Sequence, residues 1–208
     1  MGPASGSRGR FIAFEGGEAC GKSTQAALLA TSLDALLTRE PGGTAIGARL
    51  RELVLSPATV GLAPRAEALL MAADRAQHVA ELVEPALATG RHVVTDRFAG
   101  SSIAYQGYGR GLPVEEIEQL SRWATGGVWP DLIILLDVPM AEADRRLGSE
   151  RDRMEAEAPS FHEAVIAGFR TQAAAEPQRW AVVDGTGSID AVALAVRTLV
   201  ADRLQLSL

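Results

Sequence analysis

Short apolar runs recur along the chain, and each closes on polar or charged residues. Phe11-Ile12-Ala13-Phe14, Ala35-Leu36-Leu37-Thr38, His92-Val93-Val94-Thr95, Leu132-Ile133-Ile134-Leu135-Leu136 and Trp180-Ala181-Val182-Val183 have the length and β-branched or aromatic content of strands. The run at 132–136 is apolar without interruption, as a strand covered on both faces requires. Helix-spaced stretches fill the intervals at 23–33, with Leu28, Leu29 and Leu33 as its apolar face, and at 45–55, 114–124, 161–176 and 189–204. A longer helical pattern spans 65–87, with a break expected at Pro85, whose ring cannot continue the hydrogen-bond ladder. Strands alternating with helices predict an α/β fold, a parallel sheet of about five strands wound with helices on both faces.

In such sheets ligands bind beyond the carboxyl ends of the strands. Those ends carry Arg39-Glu40, Asp96-Arg97, Asp137 and the stretch Gly16-Gly17-Glu18-Ala19-Cys20-Gly21-Lys22-Ser23. The last fits G-x-x-x-x-G-K-[ST], a phosphate-binding loop, and it lies where that loop works, between a buried strand and a helix N-terminus. Lys22 is the only lysine among 20 basic residues, so a compact ammonium is kept at the one position where it must reach phosphate oxygens. Asp96 is either a helix or turn cap or a carboxylate orienting Mg²⁺-bound water beside Ser23, whose hydroxyl would be a direct ligand. Arg75 interrupts an alanine- and leucine-rich helix and Arg97 follows a buried strand; both positions suit phosphate or base recognition better than a solvated surface. Arginines and acids alternate from Arg145 to Arg153, where Asp144, Glu150 and Asp152 could pair with Arg146, Arg151 and their neighbours. The segment is either an exposed ion-paired helix or a mobile lid that brings cations to a transferred phosphoryl group.

Composition narrows the picture. With 208 residues and 47% hydrophobic content the chain supports one substantial core, hence a single domain over 11–208 behind a flexible glycine- and serine-containing tail at 1–10. A net charge of −6 and a pI near 5.2 disfavour nucleic acid as a partner. The single cysteine, Cys20, excludes an internal disulfide, and no run approaches the roughly 18 apolar residues of a membrane span, so a cytoplasmic protein is expected.

The loop with its flanks (Glu15 to Thr24), Thr38-Arg39-Glu40-Pro41-Gly42-Gly43-Thr44, Ala73-Asp74-Arg75-Ala76-Gln77-His78, Asp96-Arg97, Ser102, Ala104-Tyr105-Gln106-Gly107 and Asp152-Arg153-Met154-Glu155, in that order, resemble the bacterial thymidylate kinases. The resemblance implies a P-loop NTPase fold with a short arginine-rich lid at about 145–158. It also implies transfer of the γ-phosphoryl of ATP to dTMP with Mg²⁺, and a homodimer. By position, Gly16 to Thr24 and Arg145 would hold ATP, and Ser23 and Asp96 the metal. Glu18 would hold the sugar 3′-hydroxyl and Arg97 the dTMP phosphate, with Arg39, Pro41 and Arg51 nearby. Arg75, Ser102 and Gln106 would read the thymine, and Tyr105 would crowd the 2′ position. One family subclass carries an arginine inside the phosphate loop and the bacterial one places its catalytic arginine in the lid; Ala19 holds the loop position here, so Arg151 and Arg153, then Arg146, would join Lys22, Arg97 and Glu18 in catalysis. Three features depart from the family pattern: Met71 stands where a phenylalanine usually covers the base, and both the 24–38 segment and the lid are short.

Overall fold

The computed structural model describes residues 8–148 and 151–207. The tail at 1–7 and the lid residues Ser149 and Glu150 lie outside them. In chain order the elements are β1 (Phe11–Glu15), α1 (Lys22–Leu33), β2 (Leu36–Arg39), α2 (Ala45–Leu55), α3 (Pro64–His78), α4 (Glu84–Ala88), β3 (Val93–Asp96) and α5 (Ala99–Ser102). There follow α6 (Val114–Ala124), β4 (Leu132–Asp137), α7 (Met140–Arg146), α8 (Pro159–Ala175), β5 (Trp180–Asp184) and α9 (Ile189–Leu204). π-Helical turns at Val79–Val83 and Ile103–Gly109 extend α3 and α5.

All five strands pair in parallel in the order β2-β3-β1-β4-β5, with Phe14 opposite Asp96 on one side and Ile134 on the other. Alternate side chains of the central strands enter two separate cores. Ile12, Phe14, Val94, Ile134 and Leu136 pack with Ala26 and Leu29 of α1 and Val196 and Val200 of α9. Phe11, Ala13, Val93, Ile133 and Leu135 pack with Val83, Leu87, Phe98 and Phe161, Val165 and Phe169 of α8. A strand covered on both sides gains nothing from polar alternation, which is why the run at 132–136 is apolar throughout.

Several local expectations change. The 65–87 helix widens into a π turn at Val79–Val83 before Pro85, which enters a new first turn in α4. Proline offers no N–H and its ring presses on the carbonyl four residues back, so the added residue in the turn takes up the mismatch. The buried face of α1 is Gln25, Ala26, Leu29 and Ala30, while Leu28 is exposed. The shortened 24–38 segment is well formed: Asp34 adopts a left-handed conformation, and Ala35 N–H donates to Ala30 O at 2.9 Å as the chain turns directly into β2. Arg8, Gly9 and Arg10, assigned to the tail, are fastened to the body. Arg8 pairs with Glu84, Gly9 N–H donates to Leu87 O at 2.9 Å, and Arg10 pairs with Asp131.

Candidate active site

The chain leaves β1 through a turn only glycine can make. Gly16 has φ +144°, and a Cβ there would stand 2.6 Å from Leu136 O and 2.9 Å from Cys20 Sγ. Gly21 precedes α1 at φ +94°, and that helix begins without a side-chain cap or an acidic residue in its first turn. Its first N–H groups and positive dipole end are therefore available to an anion. Lys22 is folded into the loop, its Nζ donating to Gly17 O at 2.5 Å. Ser23 Oγ donates to Asp96 Oδ2, while Asp96 Oδ1 is buried with no partner among the described residues. Two hard oxygen donors beside a phosphate loop, one with an orphan lone pair, fit a Mg²⁺ ion completed by phosphate oxygens and water. Among the described residues no cluster of three or more His, Cys, Asp or Glu forms a metal cage of protein ligands alone.

Across the loop stand Glu18, Arg97 and Tyr105. Arg97 holds a left-handed backbone at φ +71°, uncommon for a side chain of its size. Its Nη1 donates to Gly16 O at 3.0 Å and Ser101 Oγ at 3.1 Å, its Nη2 donates to Glu18 Oε1 at 2.8 Å, and its guanidinium lies 5.2 Å from the Tyr105 ring centroid. The Tyr105 hydroxyl donates to the same Glu18 oxygen. Burial alone would raise the Glu18 carboxyl, but Arg97, Lys22 and the tyrosine hydroxyl outweigh it and bring it down to about 2. Glu15, three residues earlier, goes the other way. Fully buried, it is pushed up to about 7 by desolvation, although Ser101 Oγ at 2.6 Å and the N–H groups of Phe98 and Ser101, both at 3.0 Å, donate to it. Those bonds hold the 97–101 loop in the shape that aims Arg97.

A second polar network backs the cleft. Glu40 accepts from Arg75 Nε at 2.9 Å and meets His78 Nδ1 at 2.8 Å, and His78 Nε2 lies 2.8 Å from Thr38 Oγ1. Arg75 also donates to Ser121 Oγ, Phe98 O and Ser102 Oγ, and it is 1% exposed. The expected base readers Arg75 and Ser102 thus sit within the wall and do not line the cleft. Gly43 seats the following turn against this wall, since a Cβ there would meet Arg39 O at 2.7 Å and His78 Cδ2 at 2.9 Å. Asp74 accepts from Gly42 N at 2.9 Å, and burial, with Glu40 nearby, raises its carboxyl to about 6.

One cleft of about 440 Å³ joins these parts. Ala19 to Thr24, Asp96 and Arg146 line its phosphate side, and Glu18, Arg39, Pro41, Arg51, Met71, Arg97, Tyr105 and Gln106 line the other. The lid arginines separate. Arg146 reaches the cleft while donating to Gly185 O at 3.1 Å and pairing with Glu142. Arg151 is exposed at an adjoining cavity formed by Gly17, Glu18 and α8. Arg153 is held away from the cleft by Glu67 Oε2 at 2.5 Å and Val54 O at 2.6 Å. Arg145 points outward with Glu142, so the arginine-rich stretch is in part an ion-paired helix, paired through Glu142 where Asp144 was expected. Glu15, Glu67, Ser101 and Arg110 also hold the site, and no sequence motif marks them. One signal was available: Glu67, Asp74 or Arg75, and His78 recur at helical spacing and put a polar stripe where an apolar core face would stand.

Fold and site together define a phosphotransferase of the P-loop class, with a second, arginine-bearing compartment opposite its phosphate loop. The family model for thymidylate kinase matches residues 14–196. The chain is 52% identical over 197 residues to a thymidylate kinase of Leifsonia xyli, covering 91% of this chain and 93% of that one. It is 50% identical over 202 residues to a thymidylate kinase of a Synechococcus strain, covering 95% and 97%. A crystal structure of thymidylate kinase from Ehrlichia chaffeensis superposes with a TM-score of 0.76 at 32% identity, over 93% of this chain and 99% of that one. This chain belongs to the thymidylate kinase family.

Proposed function

We propose that the protein phosphorylates dTMP to dTDP with ATP. The observation that carries this is the single cleft in which a phosphate loop and the Arg97, Glu18 and Tyr105 cluster face each other with no wall between. Lys22 and the amides of residues 16–23 bind the β- and γ-phosphates of ATP. Arg97 takes the dTMP phosphate, exchanging its present bonds to Glu18 and Gly16 for charge-assisted bonds to the substrate. Glu18, ionised across the neutral range, accepts from the 3′-hydroxyl, and Tyr105 fills the 2′ side. Met71 covers the base through its polarizable side chain and Gln106 reads its edge. Arg75 and Ser102 act one layer behind, by fixing Phe98 and the Glu40 loop.

A dTMP phosphate oxygen attacks the γ-phosphorus in line, the bond to the β,γ-bridging oxygen breaks, and ADP leaves, with no covalent enzyme intermediate. The residues contribute position and charge. Ser23 and Asp96 would hold a Mg²⁺ ion, which when bound would supply Lewis-acid charge to the phosphate oxygens. Arg146 at the cleft and Arg151 beside it are the lid cations for the transferred group; Arg153 anchors the lid to Glu67. Exposed Ile46 and Leu53 on α2, Leu69 on α3 and Trp123 on α6 support a homodimer through these helices. The lone buried thiol of Cys20 suits a reducing compartment such as the cytoplasm, and among the described residues no helix is long and apolar enough to cross a membrane. ADP release measured with dTMP, dUMP, UMP, AMP and dCMP tests the reading. The highest kcat/KM is expected for dTMP, and equal use of all five would refute it.

A further inference from the structure

Glu67, on α3, has none of its surface exposed. Its Oε1 accepts from Gln106 Nε2 at 2.9 Å and Arg110 Nε at 3.2 Å, and its Oε2 from Arg110 Nη2 at 3.1 Å and Arg153 Nη2 at 2.5 Å. Four donors occupy the lone pairs of both oxygens, and the paired bonds of Arg110 fix the plane of the carboxylate. Burial alone would raise its pKa, but Arg110, Gln106 and Arg153 outweigh that and lower it, so the group is ionised. An ionised carboxylate only accepts. Gln106 can therefore meet it only through the amide NH2, which leaves the amide carbonyl oxygen directed elsewhere. That oxygen is buried, has no partner among the described residues, and belongs to a side chain lining the cleft with Met71 and Tyr105. A buried acceptor without a partner, on a side chain that borders the base site, is costly until a ligand donor fills it.

We infer that Glu67 is a positioning residue that locks the Gln106 amide with its carbonyl oxygen toward the acceptor base, selecting pyrimidines that carry a ring N–H between two carbonyls. Thymine presents that donor. Cytosine presents a bare ring nitrogen at the same place, acceptor against acceptor, and is disfavoured. The inference rests on the dTMP kinase reading. Because Arg153 and Arg110 share the carboxylate, and Arg110 also pairs with Glu157 at 2.6 Å, the lid and the base reader are held by one group.

Steady-state kinetics with dTMP, dCMP and N3-methyl-dTMP test it. Glu67→Gln introduces a side chain that can donate, which frees the Gln106 amide to turn. Glu67→Asp keeps the charge but withdraws it by one methylene. In each variant the dTMP to dCMP ratio of kcat/KM is expected to fall about tenfold, through KM for dTMP, whatever loosening of the lid does to both acceptors alike. A merely structural role would lower both acceptors together and leave the ratio alone. N3-methyl-dTMP needs no variant, and the unaltered enzyme is expected to use it at least about tenfold less well than dTMP. Equal use of N3-methyl-dTMP, or an unchanged ratio in a folded variant whose parent prefers dTMP, overturns the inference alone. A parent enzyme with no preference for dTMP overturns the functional reading and this inference with it.

Discussion

The two sides of the cleft are built differently. The phosphate side is mostly one contiguous stretch, residues 16–24, whose shape follows from two glycines at positive φ and the start of α1, with Asp96 and Arg146 at its margin. The acceptor side is assembled from single residues of β2, α2, α3, the 97–101 loop, the π turn after α5 and the lid, held by buried carboxylates at positions 15, 40 and 67. A local site tolerates change elsewhere in the molecule. A distributed one depends on buried ion pairs, in which the loss of one partner strands the other.

The sharpest break falls on the phosphate side. Replacing Lys22 by alanine is expected to cut kcat about a thousandfold, since it removes the cation nearest the developing phosphate charge. Its thermal transition should stay close to that of the parent. If turnover survives, the loop is not the ATP site.

The acceptor side answers to pH. Glu15 has its folded pKa raised to about 7 from an ordinary 4.5, so its contribution to stability is complete below about pH 4.5 and is lost as pH rises through 7. Urea unfolding of the parent should show stability falling between pH 5 and 8 by up to roughly 3 kcal/mol from this group. Glu15→Gln should lack that slope and keep only the smaller decline from Asp74, whose pKa of about 6 shifts in the same direction. Glu18, held at about 2, titrates below this window. An identical slope in parent and variant would show that Glu15 is not the titrating group.

The same contrast explains what was legible in the sequence. The five strands, their parallel arrangement and the phosphate loop all follow from local patterns: apolar runs covered on two faces, glycines at fixed offsets, one lysine. Arg97 and Asp96 were visible because a strand delivers them to the carboxyl edge. Arg75 was recognised as unusual, but nothing local tells that Glu40, Ser102, Ser121 and the Phe98 carbonyl enclose it; those partners lie 23 to 46 residues away. Arg153 likewise reads as a lid cation from its neighbours, and its partner Glu67, 86 residues earlier, lies outside any local window. Glu67 itself reads as an ordinary helix-surface acid. Charged residues whose meaning depends on long-range partners are the part of this site that pattern alone does not reach.

The most direct test of the whole account is a crystal structure with dTMP and a non-hydrolysable ATP analogue bound together. The analogue's phosphates are expected on Lys22 and the 16–23 amides, the dTMP phosphate on Arg97 in line with the γ-phosphorus, and the thymine against Met71 with its ring N–H on the Gln106 carbonyl oxygen. A dTMP molecule seated outside this cleft, or with its phosphate turned away from the γ-phosphate, would contradict it.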